Sequence, residues 1–242
     1  MKLEGKVAIV TGGAVRIGKA LALALAEQGV QVAITYHASG DAAQETLQAL
    51  KTLGVEGLAL QTDLGQPSQT AAIVEQIAAH FGQVDILINS AAIFEPGGWD
   101  DTTEEAWDRH FALNLKSPFF LSQAFARHVG KERPGHIVNI ADWRGVRPST
   151  DHMAYTLTKA ALIAMTKSLA LALAPNIQVN AIAPGMILPP PGKDQAYLEQ
   201  WADKIPAKRI GSPKEVARAM LFLLHSDFVT GDLLFVTGGE HL

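Results

Sequence analysis

Short apolar runs that end in turn residues alternate with helix-length segments along the whole chain. Seven runs rich in Val and Ile predict strands at 6–12, 30–36, 57–63, 84–90, 136–142, 177–185 and 232–238. They are apolar on both faces, as expected where helices cover a sheet on each side. Segments 17–28, 41–53, 68–81, 103–129, 152–174 and 213–225 have helical length and composition. The Leu-Ala runs at 20–26 and 169–173 alternate with a period of two. Ala and Leu favour helix, and both runs lie in segments too long for strands, so helix is the reading. Repeated strand–helix–strand units predict an α/β fold: one doubly wound, Rossmann-type domain over 1–242, with a seven-stranded parallel sheet and helices on both faces. The irregular stretch is 186–211. Prolines 189–191 exclude helix or sheet interior there. It is either a surface connection or a substrate-side lid over the carboxyl ends of the strands, and its length favours the lid.

Composition narrows the class. Hydrophobic residues make up 48 % of 242, enough for a large core. A net charge of −4, with no like-charge run, gives no footprint for nucleic acid. Cysteine is absent, which excludes disulfide and thiolate chemistry. No signal-peptide pattern opens the chain, and no clean apolar run nears the ~20 residues of a membrane span. The expectation is a soluble, cytoplasmic protein that acts on a small molecule. Eight histidines without ligand spacing argue against a metal.

The turn TGGAVRIG (11–18) joins the first strand to the first helix. Its glycines let backbone approach a pyrophosphate, and the helix N-terminus offers free N–H groups. Gly12, Arg16 and Ile17 are therefore candidate dinucleotide contacts. Arg16 departs from a glycine-rich pattern: it is either a solvated helix-start residue or a guanidinium aimed at phosphate or ligand. After the second strand comes TYHASGD (35–41), where an NAD-binding chain tends to place an acid. The first acid is Asp41, better placed to start a helix. Tyr36, His37 and Ser39 can donate to a 2′-phosphate, so NADPH is the expected cofactor, although His37 and Ser39 also suit a plain loop. Asp63, followed by Leu64, could hold an adenine amino group or cap a turn. Asn89 and Ala91 end the fourth strand, where they would flank a cofactor.

Tyr155 and Lys159 are one helical turn apart. An ammonium beside a phenol is expected to lower its pKa from near ~10, making Tyr155 an acid for reduction. Lys159 could also hold the nicotinamide ribose. Asn114 sits in the middle of an apolar helical segment, where Asn is unfavourable. It either marks a local kink or anchors a water relay to Lys159. Asp142 lies thirteen residues before Tyr155.

These motifs, together with NSAA at 89–92 and APG at 183–185, occur in the order of the short-chain dehydrogenase/reductases, which the chain resembles over its whole length. Arg16, Ser-Ala-Ala after Asn89, and Asp142 in place of serine resemble one branch, the pteridine reductases. Bacterial dihydromonapterin and dihydrofolate reductases of this fold are especially similar. Tyr36, His37 and Ser39 match that branch, but Ala38 replaces an arginine; the ending GGEHL is also similar. The resemblance implies NADPH as cofactor, with Pro184 and Gly185 beside it, and a homotetramer built partly on 103–129 and 152–174. It also implies Phe94 stacking on a pterin and Arg16 bonding its oxo group; the alternative for Phe94 is a loop hydrophobe.

Asp142 then gains a chemical reason. A ketone reductase needs a hydroxyl donor there, and a carboxylate would repel the developing alkoxide. Reduction of a C=N bond instead requires a proton on nitrogen, which an acid beside Tyr155 can supply or relay. The competing reading has Asp142 cap a turn or pair with Arg144 or Arg147. The functional expectation is reduction of a dihydropterin or dihydrofolate. A ketone or 3-oxoacyl reductase of the same fold is the alternative, and a non-catalytic nucleotide sensor or scaffold comes third.

Overall fold

The computed structural model describes residues 1–66, 70–190 and 192–242. Seven parallel strands form one sheet: β1 Val7–Val10, β2 Gln31–Tyr36, β3 Gly57–Gln61, β4 Ile86–Asn89, β5 Gly135–Ile140, β6 Ile177–Pro184 and β7 Leu233–Val236. Their order is β3-β2-β1-β4-β5-β6-β7. The predicted strands are all present: six are trimmed by one to three residues in all, and β5 begins one residue before and ends two before its predicted bounds.

The helices are α1 Arg16–Ala26, α2 Gly40–Thr52, α3 Thr70–Phe81, α4 Glu104–Phe111, α5 Ser117–Val129, α6 Met153–Leu173, α7 Gln195–Glu199 and α8 Pro213–His225. The expected start of the third helix, at 68, lies outside the described residues. Alternate residues of each strand serve opposite faces. Val10 and Ile88 pack with Leu21 and Leu25 of α1 and with Met220 and Leu223 of α8. Ile9 and Leu87 pack with Ile77 of α3 and with Leu121 and Phe125 of α5. Both Leu-Ala runs are helical: the first packs Leu21 and Leu25 into the core, while the second places Ala170 in the core and leaves Leu171 exposed.

Two elements differ from expectation. The single helix predicted at 103–129 is interrupted by a π-helical segment, Ala112–Lys116. Such segments arise where the backbone accommodates an extra residue per turn, often beside a site. The 186–211 stretch is not wholly irregular: it carries α7 and a 3₁₀ turn, Ala202–Lys204. One helix, α6, is long and apolar enough to cross a membrane by length and composition. Here it lies against β6 and the turn that follows Asp142.

Strand order reverses between β1 and β4. In open parallel sheets, ligands bind outside the carboxyl ends at such a switch point. The turns after β1, β4, β5 and β6 all open there.

Candidate active site

The turn after β1 is built for close approach. A Cβ on Gly18 would stand 2.2 Å from the Gly12 carbonyl oxygen, so only glycine lets α1 begin this near the turn. Gly12 itself has φ +65. Arg16 has φ +55, a left-handed conformation that glycine adopts freely and arginine does not. This is the backbone reason for a glycine in related turns. The Arg16 guanidinium donates to the Pro189 carbonyl at 2.8 Å, which ties the turn to the 186–211 stretch.

Across the groove, Thr11 Oγ1 accepts from Ser90 N at 2.9 Å and Ala91 N at 3.0 Å. The Asn89 side chain is buried and donates to Asn139 Oδ1 at 2.8 Å, pinning β4 to β5. Its side chain is thereby held within the sheet at the carboxyl end of β4. Asp63 caps a turn, with Oδ1 accepting from Gly65 N at 2.9 Å, and Leu64 is buried below it. His37 is exposed, and Ser39 stands at the N-cap of α2 with no side-chain cap bond. Asp41 lies in the first turn of α2, as expected.

Tyr155 and Lys159 project from α6, both buried. Tyr155 Oη donates to Asp142 Oδ2 at 2.8 Å. Lys159 Nζ donates to the Ile140 carbonyl at 2.7 Å and lies 5.5 Å from the Tyr155 ring centre. The expected depression of the tyrosine pKa is reversed. Burial, and then the charge and hydrogen bond of Asp142, hold the phenol well above its ordinary range. Burial lowers Lys159 to about 8, opposed by the Asp142 charge. Burial also raises Asp142, against hydrogen bonds from Arg144 N and Tyr155 and the charges of Lys159 and Arg144. Both phenolate and carboxylate are thus less favoured here than in water.

Asp142 also caps the 3₁₀ turn Trp143–Gly145, with Oδ1 accepting from Arg144 N at 2.8 Å. The turn cap and the bond from Tyr155 therefore coexist, one on each carboxyl oxygen. The expected alternative ion pairs go elsewhere: Arg144 bonds Asp151 at 2.8 Å, and Arg147 donates to the carbonyls of Glu240 and Leu242.

Asn114 sits in the π segment, and its side chain is fully committed. Oδ1 accepts from Ile93 N at 2.9 Å, and Nδ2 donates to Ile93 O at 3.0 Å and Thr158 Oγ1 at 3.3 Å. These bonds hold Asn114 in the π segment, in keeping with the local kink that its place in an apolar helix implied. They also clamp the loop that carries Phe94.

Phe94 is 38 % exposed and stands edge-on to Tyr155, with ring centres 4.7 Å apart. One face already stacks on His152, at 4.0 Å and 5°. The Arg144 guanidinium lies 5.8 Å from the same ring. His152 and Arg144 thus belong to this platform, on the connection between Asp142 and Tyr155; Arg144 enters the sequence reading only as an alternative partner of Asp142. Pro184 is buried at the end of β6, and Gly185 N donates to Val236 O at 3.0 Å.

The family model described as enoyl-(acyl carrier protein) reductase matches residues 13–241. The solved structure of FolM alternative dihydrofolate reductase 1 from Brucella canis, complexed with NADP, superposes with a TM-score of 0.94. It is 33 % identical, over 99 % of this chain and 95 % of that one. A short-chain dehydrogenase from Burkholderia cenocepacia J2315, in complex with NADP, is 34 % identical over the whole of both chains, with a TM-score of 0.92. The 3-oxoacyl-[acyl-carrier-protein] reductase FabG of Thermotoga maritima is 36 % identical over 249 residues, covering 99 % of each. The chain belongs to the short-chain dehydrogenase/reductase family.

Proposed function

We propose that the protein is an NADPH-dependent reductase of a C=N bond in a dihydropterin or dihydrofolate. The coarser statement rests on the family and its NADP-bound structural neighbours: this is an NADP(H)-dependent oxidoreductase. The observation that carries the finer reading is the 2.8 Å bond between Tyr155 and Asp142, where a ketone reductase needs a neutral hydroxyl.

The residues present fit the dinucleotide. The close Gly12–Gly18 approach clears the start of α1 for a pyrophosphate. The loop after β2 offers His37 and Ser39 without a carboxylate to repel a 2′-phosphate. When bound, NADPH supplies the hydride to carbon. The chain must then protonate nitrogen. Tyr155 passes its hydroxyl proton to that nitrogen, and the Asp142 carboxyl replaces it across the shared bond. Two O–H bonds break, one N–H bond and a new Tyr155 O–H bond form, and a single carboxylate remains, beside Lys159 and Arg144. The exposed Phe94 ring beside Tyr155 could stack on a flat heteroaromatic, and Arg16 could bond its oxo group. We extend the proposal to a cytoplasmic location and to a homotetramer; apolar side chains exposed on α5 and α6 support self-association.

The FabG relatives favour carbonyl reduction by the same Tyr155 and Lys159. A substrate panel with NADPH separates the two readings. Turnover of a dihydropterin or dihydrofolate supports ours; turnover of only ketones or 3-oxoacyl thioesters refutes it. Asp142→Ser is expected to lower dihydropterin turnover by roughly 10²–10⁴-fold, the usual worth of a positioned proton donor. An unchanged rate would count for the carbonyl reading.

A further inference from the structure

The loop from β4 to α4 carries Phe94, the exposed ring beside Tyr155. Asn114 holds both backbone groups of Ile93, on one side of that ring. The residue on the other side is held as well. Glu95 N donates to His110 Nε2 at 3.4 Å, and the Glu95 carboxylate pairs with Arg109 at 2.9 Å. Arg109 and His110 stand in the last turn of α4, and Asn114 follows four residues after His110. The Arg109 pair is about half exposed, and pairs of that kind hold a loop weakly. His110 is different, being 2 % exposed. Its Nδ1 lies 2.7 Å from the Ala106 carbonyl, four residues back along α4. A carbonyl only accepts and a backbone N–H only donates, so one tautomer serves both contacts: Nδ1 carries the hydrogen and Nε2 offers the lone pair. The helix thus orients the ring, and the ring presents its acceptor to the loop.

We propose that His110 is a positioning residue for the substrate ring: through Glu95 N–H it fixes one flank of Phe94, as Asn114 fixes the other, and so sets how well a flat heteroaromatic stacks there. The inference rests on the proposed reading of Phe94 as a stacking platform. His110 meets neither substrate nor cofactor in this role and acts only through the loop. Both flanks matter, because a chain pinned at one residue still turns about the φ and ψ of the next. A stacked pair loses contact once one ring tilts or slides. His152, parallel to Phe94 at 4.0 Å, supports the ring itself, while His110 and Asn114 hold the backbone that carries it.

Two variants separate the two contacts of His110. In His110→Gln the side-chain carbonyl falls near the place of Nε2; it keeps an acceptor for Glu95 N–H and gives up the bond to Ala106. In His110→Asn the amide falls near the place of Nδ1; it keeps the helix bond and gives up the loop. The measurement is kcat and KM for a dihydropterin at saturating NADPH, with NADPH affinity and melting temperature taken on the same preparations. Loss of the loop bond is expected to raise KM about three- to tenfold in His110→Asn, with kcat within about twofold of wild type. His110→Gln should keep KM within about twofold, and neither variant should change NADPH affinity. An unchanged KM in His110→Asn, or a KM raised at least as much in His110→Gln, overturns the inference and leaves His110 a bond internal to α4. A joint fall of kcat, NADPH affinity and melting temperature in both variants also overturns it, because that marks a general loss of packing. A wild type that reduces no dihydropterin or dihydrofolate overturns the reading of Phe94 and this inference together, and assaying it first keeps the two failures apart.

Discussion

Lys159 shows how one buried side chain sets a working pH. Its ammonium is enclosed on α6 and bonded to a single carbonyl, that of Ile140. Loss of water favours the neutral amine, and the pKa falls to about 8 against the opposing pull of Asp142. Below that value the side chain is a cation with hydrogens to donate to ribose hydroxyls; above it, charge and one donor are lost. NADPH affinity is therefore expected to fall as pH rises through about 8, and to be weaker and flat with pH in Lys159→Met. Fluorescence titration of NADPH at several pH values measures both. A wild-type affinity constant from pH 6 to 9.5 would show that Lys159 does not hold the dinucleotide. Tyr155 makes the complementary point. The spacing of Tyr155 and Lys159 was legible in the sequence, but the direction of the phenol's shift was not, because it depends on burial and on Asp142 arriving from another strand.

Elements carry information that single residues do not. The helices and strands were legible because a period of 3.6 or a doubly covered apolar run marks them at every turn. The π segment at Ala112–Lys116 was not. A shift of hydrogen bonding by one residue leaves no trace in apolar spacing, and the misplaced Asn114 was its only sign. Its consequence is local order: Asn114 meets both backbone groups of Ile93, so the Phe94 loop is set by a helix rather than by its own turn chemistry. The turn from β1 to α1 behaves in the opposite way and stores strain. Arg16 at φ +55 costs roughly 1–2 kcal/mol against glycine, of which the bond to Pro189 returns a part. Arg16→Gly is expected to raise thermal stability by up to about 1 kcal/mol while weakening binding of NADPH and of the pterin. Calorimetric melting, with affinities taken on the same preparation, tests this. A variant that is both less stable and equally tight in binding would contradict it.

At the scale of the whole molecule, sheet order followed from alternating elements and the right-handed crossover rule, and it brought the turns after β1, β4, β5 and β6 to one edge. What the chain's outer faces do was less legible, because one apolar residue on a surface helix means little alone. Position in the fold makes the difference. Phe119 and Phe120 on α5 are each 38 % exposed, and Leu171 on α6 is 86 % exposed. These are the two helices expected to meet their counterparts in a homotetramer. Burying such side chains between copies would remove apolar area from water at about 25 cal/mol per Å², a driving force that a single charge can oppose. Light scattering after size exclusion should therefore give about four times the 25.8 kDa chain mass for wild type and a smaller assembly for Phe120→Glu. Tyr155 and Lys159, to which the proposed function gives the chemistry with Asp142, stand on α6, so the smaller form is also expected to lose turnover. A wild type that runs at the mass of one chain while reducing substrate at full rate would remove the tetramer from the proposal and leave the site on α6 self-sufficient.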